Sequence, residues 1–196
     1  MNLRSDLAFI ASWIAPGSHV LDLGCGDGSL LQYLQTEKHC TGYGVEIADA
    51  NVARCVRRGV PVVQQNLESG LSLFGDGSFD VVLQLETLQA IKHVEEMLRE
   101  IARVGREAIV SFPNFAYWEH RWQLFCGRMP VSERLPYNWY DTPNIRCATI
   151  ADFQALARTV GLEVLDFVAL HNGQPATMLP NLMGSLAVFR FRKRAD

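Results

Sequence analysis

The sequence predicts an α/β fold, a mostly parallel sheet of seven strands with an antiparallel strand near the C-terminus. Three observations carry that reading. Val20-Leu-Asp-Leu-Gly-Cys-Gly-Asp-Gly28 is an apolar strand running into a glycine-rich turn, with a helix beginning at Ser29. Up to residue 112, strand-like and helix-like runs alternate, which implies parallel pairing through right-handed crossovers. Near-continuous apolar strands such as Val81-Val-Leu83 fit a sheet covered on both faces.

In order along the chain, Leu3, Leu7, Ile10 and Ile14 recur at helical spacing until Pro16-Gly17 ends the helix. His19–Leu23 is the first strand, and Leu30, Leu31 and Leu34 give the next helix its core face. Gly42–Val45 is the second strand, ending at Glu46; a helix marked by Val52, Cys55 and Val56 then closes at Gly59. Val60–Gln64 is the third strand, and the turn Gly75-Asp-Gly-Ser78 precedes the fourth, Phe79–Leu85. Val94, Leu98, Ile101 and Val104 lie on one helical face, and Ala108–Phe112 is the fifth strand. The rhythm then breaks into an aromatic-rich insert, residues 113–148, before Thr149-Ile-Ala-Asp152 opens another helix with a capping sequence. Val164–Leu170 and Leu186–Arg192 read as two final strands joined by a loop containing Gly173, Pro175 and Pro180. Phe189 and Phe191 alternate there with Arg190 and Arg192, as on an exposed edge. With neither repeats nor a linker, residues 1–196 read as one domain.

Composition excludes several function classes. A length of 196 residues, 48% hydrophobic and 20% charged, is that of a soluble globular chain. A net charge of −3 offers no electrostatic reason to bind nucleic acid or an anionic membrane. No apolar run approaches the ~20 residues that span a bilayer, and Met1–Asp6 leads straight into a helical pattern, unlike a signal peptide. The five cysteines (25, 40, 55, 126 and 147) are scattered and never spaced C-x-x-C. That usage predicts a reducing compartment, the cytoplasm, and no zinc site.

In open parallel sheets, ligands bind beyond the carboxyl ends of the strands. The turn spacing is G-x-G-x-G rather than the dinucleotide G-x-G-x-x-G, because position 29 is Ser, and this moves the expected ligand from NAD to S-adenosyl-L-methionine. Gly24, Cys25 and Gly26 would receive its aminoacyl part, with Asp22 holding the ammonium group directly or through water. Glu46, followed by Ile47, would accept the ribose hydroxyls, and Asn66 and Leu67 would meet the adenine. Gln84 and Glu86 border the expected methyl position, where buried polar groups could equally cap the sheet. A nicotinamide dehydrogenase needs a second nucleotide-binding half or a substrate domain, and too little chain remains for either.

Val20–Gly28, Glu46 and Ser78-Phe-Asp-Val-Val-Leu83 together resemble the class I S-adenosylmethionine-dependent methyltransferases. The resemblance implies their Rossmann-like seven-stranded fold, with S-adenosyl-L-homocysteine as product or bound form. Asn66 stands where many members have aspartate. Blocks over almost the whole chain resemble the methionine-biosynthesis MetW family. They are Leu3-Arg-Ser-Asp-Leu7, Trp13-Ile-Ala-Pro-Gly17, Leu85-Glu-Thr-Leu-Gln89, Val110-Ser-Phe-Pro-Asn114, Gly127-Arg-Met-Pro130 and Leu135-Pro-Tyr-Asn-Trp-Tyr-Asp-Thr-Pro-Asn-Ile145. This second resemblance implies a cytoplasmic protein working with a homoserine O-acyltransferase (MetX).

Catalysis is less legible. The Asp-Pro-Pro-Tyr type tetrapeptide of amino methyltransferases is absent after the fourth strand, and no Pro-Cys nucleophile occurs. A general base could be Glu86, His93 or Tyr117. With only about seventeen residues before the first strand, any lid is expected from the insert or from another protein. Phe115, Trp118, Trp122 and Phe125 share a helical stripe and are expected to pack on the sheet, whereas Tyr137-Asn-Trp-Tyr-Asp141, bracketed by prolines, reads as a rigid contact loop. A regulatory subunit and an independent methyltransferase both remain open.

Overall fold

A computed structural model describes residues 3–194. Met1 and Asn2, where the leader reading begins, lie outside the described residues, as do the last two. The first half alternates as expected: α1 (Ser5–Ser12), β1 (His19–Leu23), α2 (Ser29–Lys38), β2 (Thr41–Glu46), α3 (Asp49–Arg57), β3 (Val62–Gln64), β4 (Phe79–Leu85), α4 (Val94–Val104) and β5 (Gly105–Pro113). Then follow α5 (Trp118–Phe125), α6 (Ile150–Thr159), β6 (Leu162–His171), β7 (Gln174–Pro175), α7 (Pro180–Met183) and β8 (Leu186–Lys193). The sheet order is β3-β2-β1-β4-β5-β8-β6-β7, with β1 to β5 parallel and β8 antiparallel to both β5 and β6. Strand order reverses between β1 and β4, so a crevice opens at their carboxyl ends.

Both faces of the sheet are covered. On one, Leu21, Val82, Val110 and Phe189 pack with Leu98 and Ile101 of α4 and Phe153 of α6. Phe153 lies 5.3 Å from Phe112 and 4.5 Å from Phe189 between ring centroids. On the other face, Val20, Leu83, Ile109 and Val188 meet Ile10 and Ile14 from the α1 side and Leu30 and Leu34 of α2. Each of these side chains stabilises the fold by about 1.5–3 kcal/mol through burial. The expected cap of α6 is present: Thr149 Oγ1 accepts from Asp152 N at 3.2 Å and donates to the Asp152 carboxylate at 2.7 Å.

Three expectations are corrected. The described sheet has eight strands rather than seven. The additional one, β7, folds back on β6 through Asn172 and Gly173, both at positive φ (50° and 75°), which is the two-residue turn that matches strand twist. Next, β8 is interior rather than an edge: Phe189 and Phe191 are fully buried, while Arg190 and Arg192 pair with Asp166 and Glu163 of β6. Finally, the aromatic stripe of α5 faces outward. Trp118, Trp122 and Phe125 are exposed, and the helix seats on His120, which bonds Asn114 O at 3.2 Å and Ser132 Oγ at 2.8 Å.

Candidate cofactor site

The glycine turn is held from beneath by β2. Gly24 N and Cys25 N both donate to Val45 O, at 2.8 and 3.1 Å. Gly24, Gly26 and Gly28 all take positive φ, 79°, 56° and 76°, a region that side chains other than glycine rarely adopt. A Cβ on Gly24 would lie 2.6 Å from Thr87 Oγ1, so the exit of β4 packs directly against the turn.

Glu46 locks this arrangement. Its Oε2 accepts from Gly26 N at 2.9 Å, and its Oε1 accepts from Ile47 N and Ala48 N at 2.8 and 2.9 Å. One buried carboxylate thus joins the turn after β1 to the turn after β2. Asp22 lies beneath the same turn, buried and in no ion pair among the described residues; burial, and then the charge of Glu46, push its pKa up to about 7.

The remaining expected residues are placed differently from one another. The Cys25 thiol turns to Cys55, 3.8 Å away, and burial raises its pKa. Ile47 is exposed beside Glu46. Asn66 Oδ1 accepts from Glu68 N at 3.0 Å, and Leu67 is buried in the core. Gln84 follows Leu83, the register partner of Asp22, and is wholly buried. Neither of its amide atoms finds a partner among the described residues, an arrangement that costs about 1–3 kcal/mol per orphaned group.

Sequence reasoning missed a charged cluster beside the turn. Arg4 and Arg134 both bind Glu86, the residue that precedes Thr87, and both also reach Asp6. Asp6 is buried; burial would raise its pKa, yet the Arg4 hydrogen bond and the Arg134 charge hold it below the usual carboxylate range. Glu86 itself sits at φ 49°. The segment before β1 therefore helps to close this region, together with the insert. The only signal in the sequence was that Arg4, Asp6 and Glu86 fall within the Leu3–Leu7 and Leu85–Gln89 blocks. Of the other candidate bases, Tyr117 is buried against His171 (ring centroids 5.4 Å apart), and His93 is exposed at the start of α4.

The family model "Methionine biosynthesis protein MetW" matches residues 4–191. The chain belongs to the MetW family. It is 37% identical to the bifunctional methionine biosynthesis protein MetXA/MetW of Rhodopirellula baltica, over 98% of this chain and 33% of that protein. A shorter match, 35% identical over 46% of the chain and 34% of the relative, is to phthiotriol/phenolphthiotriol dimycocerosates methyltransferase 1 of Mycobacterium ulcerans. The chain matches about a third of the length of these curated relatives. Its fold is shared with a SAM-dependent methyltransferase from Archaeoglobus fulgidus (TM-score 0.71, 14% identity, covering 97% of this chain and 92% of that one). It is also shared with a possible histamine N-methyltransferase from Thermotoga maritima (TM-score 0.67, 21% identity, 97% and 88%). Among the described residues no helix is long and apolar enough to cross a membrane.

Proposed function

We propose that this MetW-family chain binds S-adenosyl-L-methionine at the glycine turn and acts in methionine biosynthesis with a homoserine O-acyltransferase. The observation that carries the cofactor reading is Asp22, a carboxyl group buried beneath the turn without a cationic partner among the described residues. Such a group favours a ligand that brings its own positive charge, and the ammonium of an aminoacyl ligand supplies one. Glu46 retains acceptor capacity for ribose hydroxyls beyond its three backbone bonds, and exposed Ile47 offers an apolar face for a base. Asn66 and Leu67 complete the adenine side in this reading, and Gln84 lies wholly buried beneath the β4 end with its amide unpaired among the described residues. When bound, S-adenosylmethionine supplies an electrophilic methyl group.

The partner reading is supported by the MetXA/MetW relative, whose name joins the two activities in one chain. The outward-facing aromatics of α5 and of the Tyr137–Asp141 loop are of the types that dominate interfaces. A second reading, independent methyl transfer to a small molecule, draws on the shared fold alone.

Calorimetry with S-adenosylmethionine tests the site. Glu46→Gln, which puts an NH2 against the backbone donors, should weaken binding by about tenfold or more. Asp22→Asn should weaken it comparably, and unchanged affinity in both variants would sink the assignment. An assay of homoserine O-acyltransferase with and without this protein, across cofactor concentrations, separates the two functional readings. Formation of S-adenosylhomocysteine without any effect on the acyltransferase would select the independent enzyme.

A further inference from the structure

Residues 128–147 contain neither helix nor strand, a stretch longer than the ~12–15 residues beyond which such loops are uncommon in compact domains and usually functional. At its tip, residues 136–144 hydrogen-bond only to one another among the described residues: Asp141 N donates to Asn138 O at 3.3 Å, and Asn144 N to Thr142 Oγ1 at 3.1 Å. A void of about 70 Å³ remains between Tyr137 and Trp139 of this tip and Phe115, Met129 and Leu135. The tip therefore draws little packing from the domain beneath it.

Both ends of the tip are fastened to one short segment, the exit of β4. On the entering side, Arg134 Nη1 donates to both carboxylate oxygens of Glu86, at 3.1 and 3.2 Å, from a turn closed by Ser132 and Leu135. On the leaving side, Ile145 N and Arg146 N donate to Gln89 O at 2.9 and 3.0 Å. Gln89 Nε2 donates in turn to Glu86 O at 2.7 Å, which ties the two anchors together. Between them lies Thr87, whose Oγ1 is 2.6 Å from the place a Cβ on Gly24 would take. The segment Glu86–Gln89 thus packs on the glycine turn on one side and carries the aromatic tip on the other. Glu86 holds φ 49°, which side chains rarely adopt, so its conformation depends on these surrounding bonds.

We propose that occupancy of the glycine turn, in the cofactor reading on which this rests, orders the aromatic tip through Glu86–Gln89. Exposed Trp139 and Tyr140 then form a docking surface that depends on the ligand. A ligand seated on Gly24–Gly26 restrains the turn against which Thr87 packs, and with it the β4 exit. The restraint passes to the tip because no hydrogen bond of its own ties the tip elsewhere among the described residues. By linkage, whatever docks on Trp139 and Tyr140 tightens ligand binding by the same factor.

Hydrogen exchange of the whole protein, followed by mass spectrometry with and without S-adenosylmethionine, tests this. Exchange should slow at residues 20–28 and, by about fivefold or more, at residues 137–144. Thr87→Ala removes the contact with the turn, and Arg134→Gln removes the hold on the tip. In each variant, protection at 20–28 should persist while the ligand-induced slowing at 137–144 is lost. A merely structural role for these side chains would speed exchange at the tip equally with and without ligand; a ratio that stays as in wild type would overturn the proposal. If Arg134→Gln does not fold, Thr87→Ala carries the test alone. Wild-type protection at 20–28 with no change at 137–144 would also overturn it and leave the cofactor reading standing. Protection at neither segment would overturn both.

Discussion

Asp22 shows at the scale of one residue how the fold stores a preference for a cationic ligand. With its pKa pushed up to about 7, the folded protein holds this proton more tightly than the unfolded chain does. By linkage, stability contributed at Asp22 is greatest at low pH and falls as pH rises between about 4 and about 7, levelling beyond. Denaturant melts of the ligand-free protein should therefore show wild type losing stability relative to Asp22→Asn across that window; a pH-independent difference would contradict the burial argument. The same sign makes affinity for an ammonium-bearing ligand rise with pH over that range, since the ligand pairs with the ionised form. Glu46, by contrast, commits both its oxygens to three backbone donors.

Elements that are far apart in sequence meet at the Arg4–Asp6–Glu86–Arg134 cluster. Arg134 bridges Asp6 and Glu86 with its planar fork, which one ammonium cannot reproduce. Arg134→Ala should destabilise the fold by about 2–3 kcal/mol in urea, because buried Asp6 would keep only the exposed Arg4 as a partner, and Arg134→Lys should restore only part of the loss. A wild-type-like urea midpoint for Arg134→Ala would show that the cluster does not hold the insert down. Since Asp6 is held below the usual carboxylate range, its contribution is complete above about pH 4 and is lost as pH falls through its lowered value. The insert itself carries its large rings outward: Trp139 and Tyr140 are 72% and 71% exposed, so their truncation should leave the core intact. Replacing both by Ala should abolish co-purification with a homoserine O-acyltransferase while the thermal midpoint stays near wild type. Retained co-purification would move the contact elsewhere.

For the whole molecule, the sheet gathers two features at its carboxyl edge, the glycine turn at the switch point and the charged cluster beside it. Most of the layout was legible because its signals are local. Alternating apolar runs mark β1 to β5, a five-residue glycine spacing marks the turn, and an acid at a strand end marks Glu46. What was not legible depends on partners distant in the chain. The Phe-Arg alternation of β8 is the same whether a strand is at an edge or between two neighbours; β5 and β6 on either side made it interior. The period of Phe115, Trp118, Trp122 and Phe125 defines a face but not the direction in which it points, and His120 bonded to Ser132 decided that. Asn172-Gly173 is a hairpin signal that the prolines nearby mask.

The sequence by itself determined the fold class, the turn and the acids expected around it, because backbone chemistry and hydrophobic period act over a few neighbouring residues. Only the tertiary structure decided which charges meet and which aromatics remain in water. Those properties arise from burial and from contacts such as Arg134 with Glu86, which close across 48 positions of chain and leave no local trace.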